Sequence, residues 1–130
     1  MPYTLLPDLW PEIEMENIVT PEAILRFQAG QLRTKTNGLI EAEVRTHRTG
    51  TVSHELVLIA PALDRYECVI ASFHHGVTLV YPVSIEHQSM RARKCHSQGE
   101  LLDAVSELLR SENVKAVISS LITQSVSRVN

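Results

Sequence analysis

Residues 46–61 read THRTGTVSHELVLIAP and place a histidine on each side of a single glycine. After Gly50, apolar and polar residues alternate, which is typical of a strand with one buried face. The segment before it alternates in the same way, so the two segments predict a β-hairpin. The register of this hairpin decides the fold, because a shift of one residue moves every side chain to the opposite face.

Two loop lengths lead to different chemistry. A two-residue loop, Gly50-Thr51, places His47 opposite His54, where the pair could hold a metal ion. A three-residue loop, 48–50, with glycine in the bulge position pairs Val44 with His54 instead. The longer loop keeps the apolar residues of both strands together, and each buried aliphatic side chain contributes roughly 1.5–3 kcal/mol. We therefore predict the three-residue loop, with His47 and His54 on opposite faces.

Turn-forming residues divide the middle of the chain into four predicted strands. Their connections are too short for a parallel crossover, so neighbouring strands must run antiparallel. Pro82 lacks an N–H group for the ladder, which favours an edge position for the fourth strand. The predicted strands are Leu39–Arg48, Val52–Ala60, Tyr66–His74 and Val77–Ile85.

Helices are predicted on both sides of the strands. Thr20 is a predicted N-cap before Pro21, and Asn37-Gly38 supplies a left-handed stop. Near the C-terminus, Ser97 opens a capping box. Two apolar stripes follow it with an offset of 13 residues, which a straight helix would rotate apart by about 140°. We therefore predict two C-terminal helices, separated at residues 111–113.

The predicted fold class is α+β, a four-stranded antiparallel meander packed against one N-terminal and two C-terminal helices, in the order α-β-β-β-β-α-α. Residues 20–130 form its single domain. Residues 1–19 hold three of the six prolines and predict an irregular arm. Leu5, Leu6 and the neighbouring Leu9 and Trp10 have no helical period, so they dock either on the chain's own core or on another subunit.

Composition narrows the function classes. A net charge of −3 gives no argument for nucleic acid as a partner, and the few aromatic residues are not interleaved with basic ones, so nucleic acid is not expected. The basic stretch 91–94, RARK, is interpreted as a solvated linker. No segment approaches the roughly 18 apolar residues of a membrane span, and the start lacks the basic region of a secretory signal. Cys68 and Cys95 follow no metal or redox spacing. We expect a cytoplasmic protein without a cofactor.

One alternative is a metal-assisted hydrolase or nuclease. It would use Asp64, Glu67 and Glu55 as carboxylate ligands, beside a pair formed by His54 and His74 at the turn ends of neighbouring strands. All three lysines of the chain lie outside the predicted strands, so this cluster lacks the usual electrophilic partner.

The preferred hypothesis is a non-enzymatic, intracellular protein-binding domain, such as an adaptor, a chaperone-like factor or an inhibitor, that works as a homodimer. Its contacts would lie on the arm, the free sheet face, the fourth strand and the last helix, which is poor in charge after Lys115. The predicted interface residues are Trp10, Leu9, Leu79, Tyr81, Pro82, Val83, Ile118 and Ile122.

Overall fold

The computed structural model describes residues 5–15, 19–87 and 90–129. It confirms an α+β fold with an antiparallel sheet, one helix before the strands in the sequence and two helices after them. The sheet has five strands rather than the predicted four, in the spatial order β1-β2-β3-β4-β5. The elements are α1 (Pro21–Lys35), β1 (Glu41–Arg48), β2 (Thr51–Ala60), β3 (Tyr66–Gly76), β4 (Val83–His87), β5 (Met90–Cys95), α2 (Gln98–Leu109) and α3 (Glu112–Val129).

The first hairpin confirms the predicted faces but not the predicted pairing. Val44 lies opposite Leu56 and Arg48 opposite Val52, so the connecting loop is 49–51 and the predicted Val44–His54 pair was wrong by two residues. The left-handed residue is still glycine, with φ of 87° at Gly50. A shift of two residues leaves the faces unchanged. His54 is therefore buried while the His47 side chain is 62% exposed, as predicted.

The end of the sheet differs from the prediction. The fourth strand begins at Val83, and residues 77–82, with Pro82, form the connection before it. Residues 91–94 belong to β5 and are not a linker. Charged side chains are common on edge strands because they discourage pairing with other chains. The basic residues of β5 therefore lack the apolar alternation by which a strand is predicted. Arg93 of β5 donates to Glu107 of α2 at 2.6 Å.

The three helices have the predicted caps. The Thr20 hydroxyl accepts from the Ala23 N–H at 3.1 Å, and the Ser97 hydroxyl accepts from Glu100 at 3.2 Å. Ser111 lies between α2 and α3, and its hydroxyl accepts from Val114 at 3.3 Å. The predicted break between two C-terminal helices is confirmed.

All three helices contribute to one core against one face of the sheet. Phe73 of β3 lies at its centre and is fully buried. Its partners alternate along the strands, as a half-buried sheet requires. The buried cluster includes Ile24 and Leu25 from α1, Val44, Leu56, Leu58, Val83 and Ile85 from the strands, and Leu101, Val105, Leu108, Val114 and Leu121 from α2 and α3.

The opposite face of the sheet is covered by charged side chains. Arg45 of β1 donates two hydrogen bonds to the Glu67 carboxylate of β3, at 3.0 and 2.7 Å. β2 lies between these strands, so the pair crosses over Val57, which is buried on this face. The stem of a long side chain can shield apolar surface in this way. The free sheet face is therefore largely charged rather than apolar.

Candidate functional site

A pair of histidines lies at the end of the sheet near α1. His54 Nε2 lies 2.9 Å from His75 Nε2, and the His54 side chain is buried. The sequence predicted His74 as the partner, and this was wrong: His74 lies opposite Ser53, on the other face. The signal was the neighbouring Phe73. A large apolar residue points into the core, so the residue two positions later shares its face.

The histidine pair belongs to a chain of hydrogen bonds that begins at Thr46 of β1. The Gly76 carbonyl can only accept, so His75 Nδ1, 2.8 Å away, carries hydrogen. In the neutral pair His75 Nε2 then accepts from His54 Nε2–H. His54 Nδ1 in turn accepts from the Thr46 hydroxyl at 2.8 Å. The Glu22 carboxylate lies 3.4 Å from the same hydroxyl and can only compete for its single hydrogen, so three side chains connect β1 to β3 by hydrogen bonds.

Burial controls the charge of this site. Desolvation, followed by the proximity of His75, lowers the pKa of His54 to about 4. Glu22 is held as a carboxylate: the hydrogen bond from Arg26 lowers its pKa, and Arg48 approaches the other oxygen at 3.2 Å. Near neutral pH the arrangement therefore contains a carboxylate at Glu22 and an uncharged imidazole at His54. The hydrogen bonds of His54 connect β1, β2 and β3. The ion pair between Arg48 and Glu22 holds the start of α1 against the sheet.

The residues proposed for a metal site are not brought together. His74 faces Glu86 at 3.8 Å, Glu55 faces His47 at 3.5 Å, and Asp64 lies 3.9 Å from Arg128. Glu67 is bound to an arginine, as described above. Over residues 5–15, 19–87 and 90–129, no three histidine, cysteine or acidic side chains converge in a way that could hold a metal ion.

The N-terminal arm is the largest exposed apolar feature. Every large apolar side chain from Leu5 to Met15 is exposed, between 66% at Ile13 and 91% at Met15. Leu9 and Trp10 are 87% and 79% exposed. The segment has local order, since the Trp10 N–H donates to Asp8 at 3.0 Å. Over residues 5–15 the side chains do not pack on the chain's own core, and docking on another subunit stays a prediction.

A cleft of about 390 Å³ lies between α1 and α2, above the sheet. Its floor is apolar and comes from β1, β2 and β3, and its rim carries glutamines and two cations. No pattern in the sequence indicates this cleft, because it forms between two helices that lie far apart along the chain. It is lined by Ile24, Gln28, Ala29, Gln31, Leu32, Lys35, Ala42, Leu56, Leu58, Ile70, Leu102, Val105, Ser106, Leu109, Arg110 and Ile118.

The other predicted interface residues fall into three environments. Leu79 and Pro82 are exposed in the 77–82 connection, Leu79 by 72%. Tyr81, Ile118 and Ile122 are half-buried against the core. Val83 is fully buried in the core of its own chain. The exposed candidates are therefore concentrated in the arm and in one loop.

Comparisons with protein-family models, curated proteins and solved structures found no match. In the part of the chain that the structure describes, no helix has the length and apolar character needed to cross a membrane.

Proposed function

We propose that this protein is a protein-binding domain that works as a homodimer, with the N-terminal arm as its contact surface. The observation that carries the proposal is the exposure of Leu9 and Trp10 beside four further apolar side chains. Monomeric soluble proteins rarely expose a contiguous apolar segment of this kind, and such segments usually mark contact surfaces.

The composition of the arm supports this role. A few residues dominate the binding energy of protein interfaces, and tryptophan is among the types enriched there. Pro7 and Pro11 flank Leu9 and Trp10, and each fixes one backbone dihedral angle. A restrained segment loses less conformational entropy on binding than a flexible one. The arm therefore offers large apolar anchors at a reduced entropic cost.

The charged face of the sheet supports the same assignment by contrast. Arg45, Glu43 and Glu67 form an ion-paired surface there, and charged groups are depleted at the centre of stable interfaces. The exposed apolar side chains of the arm are therefore better suited to the centre of an interface than the charged face of the sheet.

Sedimentation velocity across the micromolar range tests the proposal. We expect the wild-type chain to form dimers and the double variant Leu9→Ser/Trp10→Ser to sediment as a monomer. Phe27→Ser is the matched control, because Phe27 is a 64% exposed aromatic on α1, outside the arm. Dimers that survive the arm substitutions, or a wild-type chain that stays monomeric throughout, would contradict the proposal.

A further inference from the structure

We propose that the arm of one copy binds in the cleft between α1 and α2 of a second copy. This inference rests on the proposed function, and it names the surface that receives the arm. The occupant is residues 5–15 of another identical chain, with Leu9 and Trp10 over the apolar floor of the cleft.

The chemistry of the floor suits this occupant. The bottom of the cleft is lined by Ala42, Leu56, Leu58 and Ile70. An aromatic side chain that moves from water into such a site buries roughly 150–250 Å² of its surface. The volume of about 390 Å³ lies at the lower end of ligand-binding cavities. It can take a few side chains rather than a folded element.

Charge complementarity argues for the arm in particular. The arm carries Asp8, Glu12 and Glu14 and no basic residue over 5–15. The charged residues that line the cleft are both cations, Lys35 of α1 and Arg110 just after α2. Among the described residues, neither cation forms an ion pair with a carboxylate. The acidic residues beside the apolar anchors of the arm would therefore face the two cations at the rim of the cleft. Such charge complementarity favours binding of the arm in this cleft over other surfaces.

The dimensions are compatible. Eleven residues extend to at most about 40 Å, whereas the 15-residue helix α1 is about 22 Å long. An arm can therefore run along the whole cleft beside α1. In a twofold dimer the contact forms twice, because each copy gives one arm and offers one cleft. Such an exchange closes the assembly and removes the apolar side chains of both arms from water.

Charge reversal with compensation tests the inference on the full chain. We expect Lys35→Glu/Arg110→Glu to weaken dimerisation at least about tenfold, and Asp8→Lys/Glu12→Lys/Glu14→Lys to do the same. A chain that carries both sets should recover the wild-type dimer constant within a few-fold, since the charges are complementary again. Arg33→Glu/Lys115→Glu is the control, because these exposed cations lie outside the cleft and should leave the constant unchanged.

The outcomes separate this inference from the proposed function. If Leu9→Ser/Trp10→Ser abolishes the dimer while the cleft reversal leaves it unchanged, the arm binds elsewhere and the cleft assignment is wrong. If a monomer shields Trp10 from a quencher and Lys35→Glu/Arg110→Glu removes that shielding, the arm occupies its own cleft and the second copy is wrong. If the arm substitutions leave the dimer intact, both proposals fail.

Discussion

The N-terminal arm and α3 both contain several large apolar residues, but these side chains end in different environments. Both are apolar and poor in basic residues, and both were predicted as contact surfaces. In α3 the apolar residues repeat with the helical period, so Val114 and Leu121 reach the core together. In the arm two prolines prevent that period, and Leu9 and Trp10 stay exposed. Burial within one chain therefore depends on periodicity as much as on hydrophobicity.

The largest expected effect distinguishes the core from the arm. Phe73→Ala should lower the free energy of unfolding by about 3–5 kcal/mol, because it removes a fully buried ring and leaves a cavity. Leu9→Ala should change the unfolding of the dilute chain by less than about 0.5 kcal/mol. Urea denaturation below the dimerisation range measures both. A loss of more than about 1 kcal/mol from Leu9→Ala would show that the arm packs on its own domain.

The second prediction concerns His54, a buried titratable side chain in the core region. The arm over 5–15 contains no histidine. The pKa of His54 is about 4 in the folded chain and about 6.5 when unfolded, so the unfolded state takes up a proton first as pH falls. The stability that neutral His54 contributes is therefore complete above pH 6.5 and lost as pH falls towards 4. Between pH 7 and pH 5, the free energy of unfolding should drop by about 2 kcal/mol.

His54→Gln is the matched variant for this pH effect, because glutamine keeps polar atoms at the site and does not titrate in this range. It should remove that part of the pH dependence. The range above pH 5 avoids the titration of Glu22, whose pKa is lowered by Arg26. If His54→Gln has the wild-type slope between pH 7 and pH 5, the burial of an uncharged imidazole is not the cause.

The smallest expected effect lies on α3 itself. The Ser125 hydroxyl is buried and has no hydrogen-bond partner among the described residues. Ser125→Ala, which removes this hydroxyl, should raise the free energy of unfolding by about 1 kcal/mol, because an unsatisfied polar group leaves the interior. Ser127→Ala is the control, since that hydroxyl is exposed and donates to the Thr123 carbonyl at 3.1 Å. Equal effects of the two substitutions in thermal denaturation would contradict this reasoning.

Much of the fold was predictable from local chemistry. The caps at Thr20, Ser97 and Ser111 and the break between α2 and α3 follow from side-chain hydrogen bonding and helical period alone. The faces of the first hairpin followed from its apolar pattern, although the pairing was displaced by two residues. Such a displacement keeps the same residues buried, so the pattern alone cannot detect it.

The errors arose where structure depends on more than one segment. β5 resembled a linker because its edge position favours charge over alternation. The partner of His54 was misassigned although Phe73 marked the buried face of β3. The cleft depends on the spacing between α1 and α2, which no single segment encodes. The exposure of the apolar side chains over 5–15 needed coordinates, because their spacing in the sequence is compatible with either docking or exposure.

Trp10 provides the most direct test of the central claim, because it is the only tryptophan of the chain and lies in the arm. Acrylamide quenching of its fluorescence should be strong in dilute protein and should fall, with a blue shift of the emission, as the protein concentration passes through the micromolar range. Quenching that stays strong at every concentration would show that the arm remains in water, and would contradict the account.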